Sequence, residues 1–142
     1  LFDAGEFSKA IGPLQTALQQ KSDNVVLHNI LGIAFMQSGK AIKAQNEFTR
    51  AITLQPDYAK SYFNLGKAFL IEKQPQPAIT NFMSALRLQP AWPEALENLA
   101  ESYAAAGNLS NAILTATSAL QMARTNNETN LINRIANELN QY

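Results

Sequence analysis

The chain of 142 residues has 11 basic and 11 acidic side chains, no cysteine and 46% hydrophobic residues, enough to build a sizeable core within one domain. Zero net charge and a charged fraction of 15% give no basic surface for nucleic acid, and the absence of cysteine removes disulfides, a thiol nucleophile and a thiolate metal site. No run of about 18 apolar residues offers direct membrane insertion, and no basic stretch leads into a hydrophobic secretion core. In place of charge the chain carries 14 Asn and 11 Gln beside 22 Ala. These are dispersed among apolar residues at regular spacing, as in a folded domain rather than a low-complexity tract. It begins at Leu1 rather than Met, which reads as a cut from something longer.

In chain order, the periodicity predicts a first helix over about 6–20, with Gly12-Pro13 inside it as a kink or the loss of one hydrogen bond. Helix pairs follow over 25–38 with 41–54, 59–72 with 75–88, and 93–106 with 109–122, then a last helix near 127–140. Leu31, Gly32 and Phe35 share one helical face, and Ala44, Phe48 and Ala51 share the next. The turn at Gln37-Ser38-Gly39-Lys40 separates the members of a pair, and Pro56 ends the second because proline has no N–H to donate. Pro75 and Pro77 read as a tight helix entrance.

A shift of 34 residues brings these elements into register. Gly32, Gly66 and Ala100 align, as do Leu31, Leu65 and Leu99, and Phe35, Phe69 and Tyr103. Ala10, Ala44, Ala78 and Ala112 form a small column, and Ala17, Ala51, Ala85 and Ala119 another; Phe48 matches Phe82, and Pro56 matches Pro90. Gly5, Gly39 and Gly107 mark one recurrent turn, with Lys73 in the remaining repeat. Such a period in a helical pattern means stacked two-helix units. The small columns are expected to face each other, Gly32, Gly66 and Ala100 against Ala44, Ala78 and Ala112, allowing close helix approach.

On these residues the chain resembles the tetratricopeptide repeat (TPR) family. The resemblance covers about 1–126, with Ala116 in place of the aromatic in the third motif. It implies an all-α fold, a right-handed superhelix of antiparallel helix pairs: a partial repeat at 1–24, repeats at 25–58, 59–92 and 93–126, and a capping helix at 127–142. Leu131, Ile132, Ile135 and Leu139 would form the apolar stripe of that cap, with Asn130, Asn133, Arg134, Asn137 and Glu138 as its polar side. The resemblance also implies that the first helix of each pair lines a concave groove for a peptide or partner segment. The groove positions fall on Asn29 and Ile33, on Lys60, Phe63, Asn64 and Lys67, and on Glu94, Glu97, Asn98 and Glu101. Val26, Ile30 and Met36 add an apolar wall, with Leu70 and Ile71 further along. Asn64 and Asn98 sit where the family often holds ligand backbone through an amide.

Charge is unevenly spread. Residues 1–92 carry three more basic than acidic groups and residues 93–142 three more acidic than basic. Glu94, Glu97 and Glu101 share one helix face, while Lys60 and Lys67 take the places of Glu94 and Glu101 one repeat earlier. One reading is cross-helix ion pairing of little energy. The other is a bipolar trough that orients a partner, its basic part near Glu97 and its acidic part near Lys60 or Lys67. His28 reads as a partly buried structural ring, and no nucleotide loop, cofactor motif or metal-ligand spacing occurs, so the expected function is non-catalytic binding. The competing reading is a self-association module, with a homodimer across the uncapped N-terminal edge at Leu1 and Phe2, or a recruitment domain of a larger enzyme or secretion-system protein.

Overall fold

A computed structural model describes residues 4–142. Within them the chain forms eight α-helices: α1 (Ala4–Gln20), α2 (Val25–Gln37), α3 (Ala41–Leu54), α4 (Ala59–Ile71), α5 (Pro75–Leu88), α6 (Pro93–Ala105), α7 (Leu109–Thr125) and α8 (Thr129–Leu139). Each helix packs on its chain neighbours, and α2 also touches α4 and α4 touches α6, whereas no comparable contact joins α3, α5 and α7. The even-numbered helices therefore line the inner side of a superhelical stack and the odd-numbered ones its outer side. Leu1 and Phe2, on which the uncapped edge was placed, lie outside the described residues.

Backbone chemistry sets the helix limits. Asn24 caps α2 by accepting from the Leu27 N–H at 3.0 Å, and Asn108 caps α7 by accepting from the Asn111 N–H at 3.2 Å. Pro75 and Pro93 open α5 and α6 at positions whose N–H has no helical partner. Pro13 stands inside a continuous α1, so its cost is the one hydrogen bond it cannot donate. Gly5, expected at a turn, is helical because α1 begins at Ala4.

One turn recurs after α2, α4 and α6. The Lys40, Gln74 and Asn108 N–H groups reach back to the Phe35, Phe69 and Tyr103 carbonyls at 2.8, 2.9 and 2.8 Å. The residue before each, Gly39, Lys73 or Gly107, has φ of 72°, 55° or 80°. This is the left-handed C-terminal cap, at which glycine is free of strain and lysine is not.

The tight packing in the first two pairs involves a ring that the small-residue columns do not single out. A Cβ on Gly32 would stand 2.4 Å from Phe48 Cε1, and one on Gly66 2.8 Å from Phe82 Cε1. The atoms nearest the glycines are thus those of the fully buried phenyl rings of Phe48 and Phe82. A ring cannot be accommodated against a helix backbone unless the facing residue lacks a side chain. In the third pair Ala100 and Ala116 lie together in one buried cluster, so the methyl on α6 and the missing ring on α7 compensate each other.

The last connection breaks the 34-residue register. Arg124 occupies the place held by Pro56 and Pro90, so α7 runs on to Thr125 and stops at Asn127, whose φ is 57°. The Glu128 N–H then bonds the Ala123 carbonyl at 3.0 Å, repeating the turn that follows α2, α4 and α6. A shift of 36 instead sets Leu131, Ile135, Ala136 and Leu139 on Ala95, Leu99, Ala100 and Tyr103. In this register α8 carries the pattern of the inner helices, and Arg134 takes the inner-face position of Asn98.

Candidate protein-binding trough

The inner helices place the expected residues on or beneath one surface. On α2, Val26 and Ile30 are 53% and 44% exposed, whereas Ile33 is half-buried against the first core cluster. Lys60 is exposed on α4, Asn64 and Lys67 are half-buried, and Ile71 is exposed; on α6, Glu94 and Asn98 are half-buried and Glu101 is exposed. The surface runs from apolar at α2, through basic at α4, to acidic at α6.

Four of the expected residues lie beneath that surface, Met36 among them in the first core cluster. Phe63 is in the core, its ring 4.4 Å from that of Trp92 and 5.8 Å, edge-on, from that of Phe82. Asn29 is buried: its amide donates to the Val25 carbonyl at 3.0 Å and to Ser61 Oγ at 2.8 Å, and its Oδ1 accepts from Asn64 Nδ2 at 3.1 Å. Both its donors are used, so it ties α2 to α4. Glu97 is buried with both oxygens held by Nε and Nη2 of Arg134. The place expected to receive a partner's basic group is thus filled by the chain's own guanidinium, and hydrogen bonding to Glu97 holds the Arg134 pKa above its ordinary value.

Asn64 and Asn98 are in a different condition. Asn64 spends one N–H on Asn29, and Asn98 one N–H on the Glu94 carbonyl at 2.8 Å. Each retains a side-chain oxygen and a second N–H. Asn98 lines a cleft of about 210 Å³ with Lys67, Leu70, Ile71 and Glu101. Lys67 Nζ lies 5.3 Å from the Phe63 ring centre, a contact that holds the ammonium at the cleft wall. Partial desolvation, then the Glu97 charge, raises the Glu101 pKa against the pull of Arg134. No ion pair joins Lys60 or Lys67 to Glu94 or Glu101 among the described residues, so the cross-helix pairing is not formed.

Ser61 and Arg134 escaped the sequence search. Ser61 looks like a neutral surface residue until its column, which continues in buried Ala95, is recognised. Arg134 becomes an inner-face residue only in the 36-residue register. His28 is 8% exposed, with Nδ1 2.7 Å from Glu47 Oε2 and Nε2 3.0 Å from the Ser22 carbonyl. It ties the loop before α2 to α3, the structural role expected of it. Among the described residues no helix is long and apolar enough to cross a membrane.

Comparison with known proteins agrees with this architecture. The sequence profile of the tetratricopeptide repeat family matches residues 31–82 and 73–127, together more than half of the chain. One solved structure of MamA superposes with a TM-score of 0.79 at 22% identity, over 87% of this chain and 68% of the other. A second MamA structure gives 0.76 at 22% identity over 96% and 86%, and a double mutant of MamA from RS-1 gives 0.78 at 20% identity over 83% and 66%. No curated protein sequence matches. With paired helices stacked at a 34-residue period, inner helices in mutual contact and a profile match across the repeats, the chain belongs to the tetratricopeptide repeat family, an all-α superhelix that serves as a protein-interaction scaffold.

Proposed function

We propose that the trough lined by α2, α4 and α6 binds a segment of a partner protein, with Asn64 and Asn98 holding its backbone. The observation that carries this reading is the cleft at Lys67, Leu70, Ile71, Asn98 and Glu101. There an apolar floor, two opposite charges and an amide with unused hydrogen-bonding capacity converge. Such a surface suits a segment with apolar side chains toward Val26, Ile30 and Ile71, an acidic group near Lys60 or Lys67, and a basic group near Glu94 or Glu101. Glu97 is withdrawn from this set because Arg134 satisfies it.

The test starts from a partner isolated with the native full-length protein. The N64A/N98A double variant should weaken its binding about ten- to a hundredfold, at about 0.5–1.5 kcal/mol for each lost hydrogen bond, with unchanged helical content. Affinity equal to that of the wild type would overturn the assignment. Swapping the charges in K67E/E101K should lower affinity for the same partner and raise it for one with reversed charges; equal affinity for both would remove the bipolar orientation.

A further inference from the structure

Where α6 meets α8, the carboxylates of Glu94, Glu97, Glu101 and Glu138 lie in the field of one guanidinium, that of Arg134. Glu97 and Glu101 are four residues apart on α6, and Arg134 and Glu138 four apart on α8, so each pair projects from one helix face. Glu97 accepts both Arg134 bonds, while Glu138 Oε2 is buried without a hydrogen-bond partner. The other helix packed on α8 is α7, which presents Ala116, Ala119, Leu120 and Ala123, none able to neutralise a carboxylate. At the N-terminal end of the seam a cleft of about 480 Å³, lined by Glu94, Glu128, Thr129, Asn130, Leu131 and Arg134, separates the two helices. The tie of α6 to α8 therefore combines an apolar part, in which Leu96 and Ala100 share a cluster with Leu131 and Ile135, with this one ionic clasp.

We propose that this clasp is a proton-sensitive latch: with Glu138 neutral, α8 lies firmly on α6, and with Glu138 ionised its repulsion from Glu97 and Glu101 loosens α8 while α2 to α5 stay folded. Burial first, then the charges of Glu97 and Glu101, push the Glu138 carboxyl from its ordinary 4.5 up to about 7, against the pull of Arg134. Tyr142, packed beside the same cluster, is pushed up to about 12 by burial and then by the charge of Glu138. Between about 4.5 and 7 the folded form retains a proton that the unfolded form has released. The stabilisation is complete below that window, is lost as pH rises through it, and is constant above it.

Hydrogen exchange of the α8 amides, normalised to intrinsic rates, tests the latch in the wild type and in E138Q. From pH 5 to pH 8 wild-type protection of α8 should fall about tenfold, less than the full shift would give because the carboxyl is partly screened by solvent. Protection of α2 to α5 should stay level. E138Q should lose most of the slope, keeping only the part that the raised Glu101 carboxyl contributes, and its protection at pH 8 should approach that of the wild type at pH 5. R134K, which keeps the charge and loses the fork, should lower α8 protection at every pH and preserve the slope. The latch is overturned if E138Q keeps the wild-type slope, if the slope vanishes in R134K, or if carbon NMR finds the Glu138 carboxyl titrating near its ordinary value.

Discussion

The first two helix pairs and the third reach the same architecture by opposite packing solutions. In α2–α3 and α4–α5 a side-chain-free residue receives a phenyl ring, Gly32 against Phe48 and Gly66 against Phe82. In α6–α7 the equivalent positions carry two methyl groups, those of Ala100 and Ala116, both within one buried cluster. Each solution fills its interface, but the mixtures do not: glycine opposite alanine leaves a void, and alanine opposite phenylalanine puts two groups in one space. The difference teaches that the repeat conserves a volume shared across two helices rather than a residue at one position.

Removing a ring breaks the comparison most severely. Phe48→Ala should cost about 3–5 kcal/mol in urea unfolding, because the ring is fully buried and the facing glycine cannot fill the space. Gly32→Ala should cost about 1–3 kcal/mol: its Cβ at 2.4 Å from the ring forces Phe48 to move, which outweighs the roughly 1 kcal/mol gain in helix propensity. Gly66→Ala, at 2.8 Å, should cost less. Combining Gly32→Ala with Phe48→Ala rebuilds the third pair in the first, so its cost should fall below the sum of the single changes by on the order of 1 kcal/mol. Strict additivity would show that the two groups do not share a volume. The reciprocal change, Ala116→Phe, should cost about 1–3 kcal/mol with Ala100 present and become nearly neutral with Ala100→Gly. The smallest effect belongs to the turn: Lys73→Gly should raise stability by about 0.5–1 kcal/mol by relieving a positive φ that Gly39 and Gly107 adopt freely.

The same contrast explains what was legible beforehand. Helix limits were readable to within a few residues because Pro56, Pro90, Gly39 and Gly107 act locally, through one missing donor or one permitted φ. The partner of each glycine was not readable, since column alignment says which residues are equivalent and not which ones meet. Gly32 and Ala44 both look like close-approach positions, and only the coordinates show that Phe48 fills the gap. Arg124 hid the register of α8 for a related reason: without proline the helix continued, and two further residues moved the repeat pattern off its period. For the trough, Asn98, Lys67 and Glu101 line the cleft, and Asn64 is half-buried on the inner helix α4. Phe63, Asn29 and Glu97 lie beneath the surface, because their side chains found Trp92, Ser61 and Arg134, contacts that cross between helices and have no sequence spacing of their own.

The stack of Phe63 and Trp92 has an optical consequence. Trp92 is the chain's single tryptophan, and its indole lies 4.4 Å from a ring on α4 while its own residue immediately precedes α6. Its emission therefore monitors one boundary, that between the second and third helix pairs. In a linear array, where units can separate one at a time, a fluorescence transition that precedes the loss of helical signal would time the parting of this seam alone. Coincidence of the two signals would measure how strongly neighbouring repeats hold together across it.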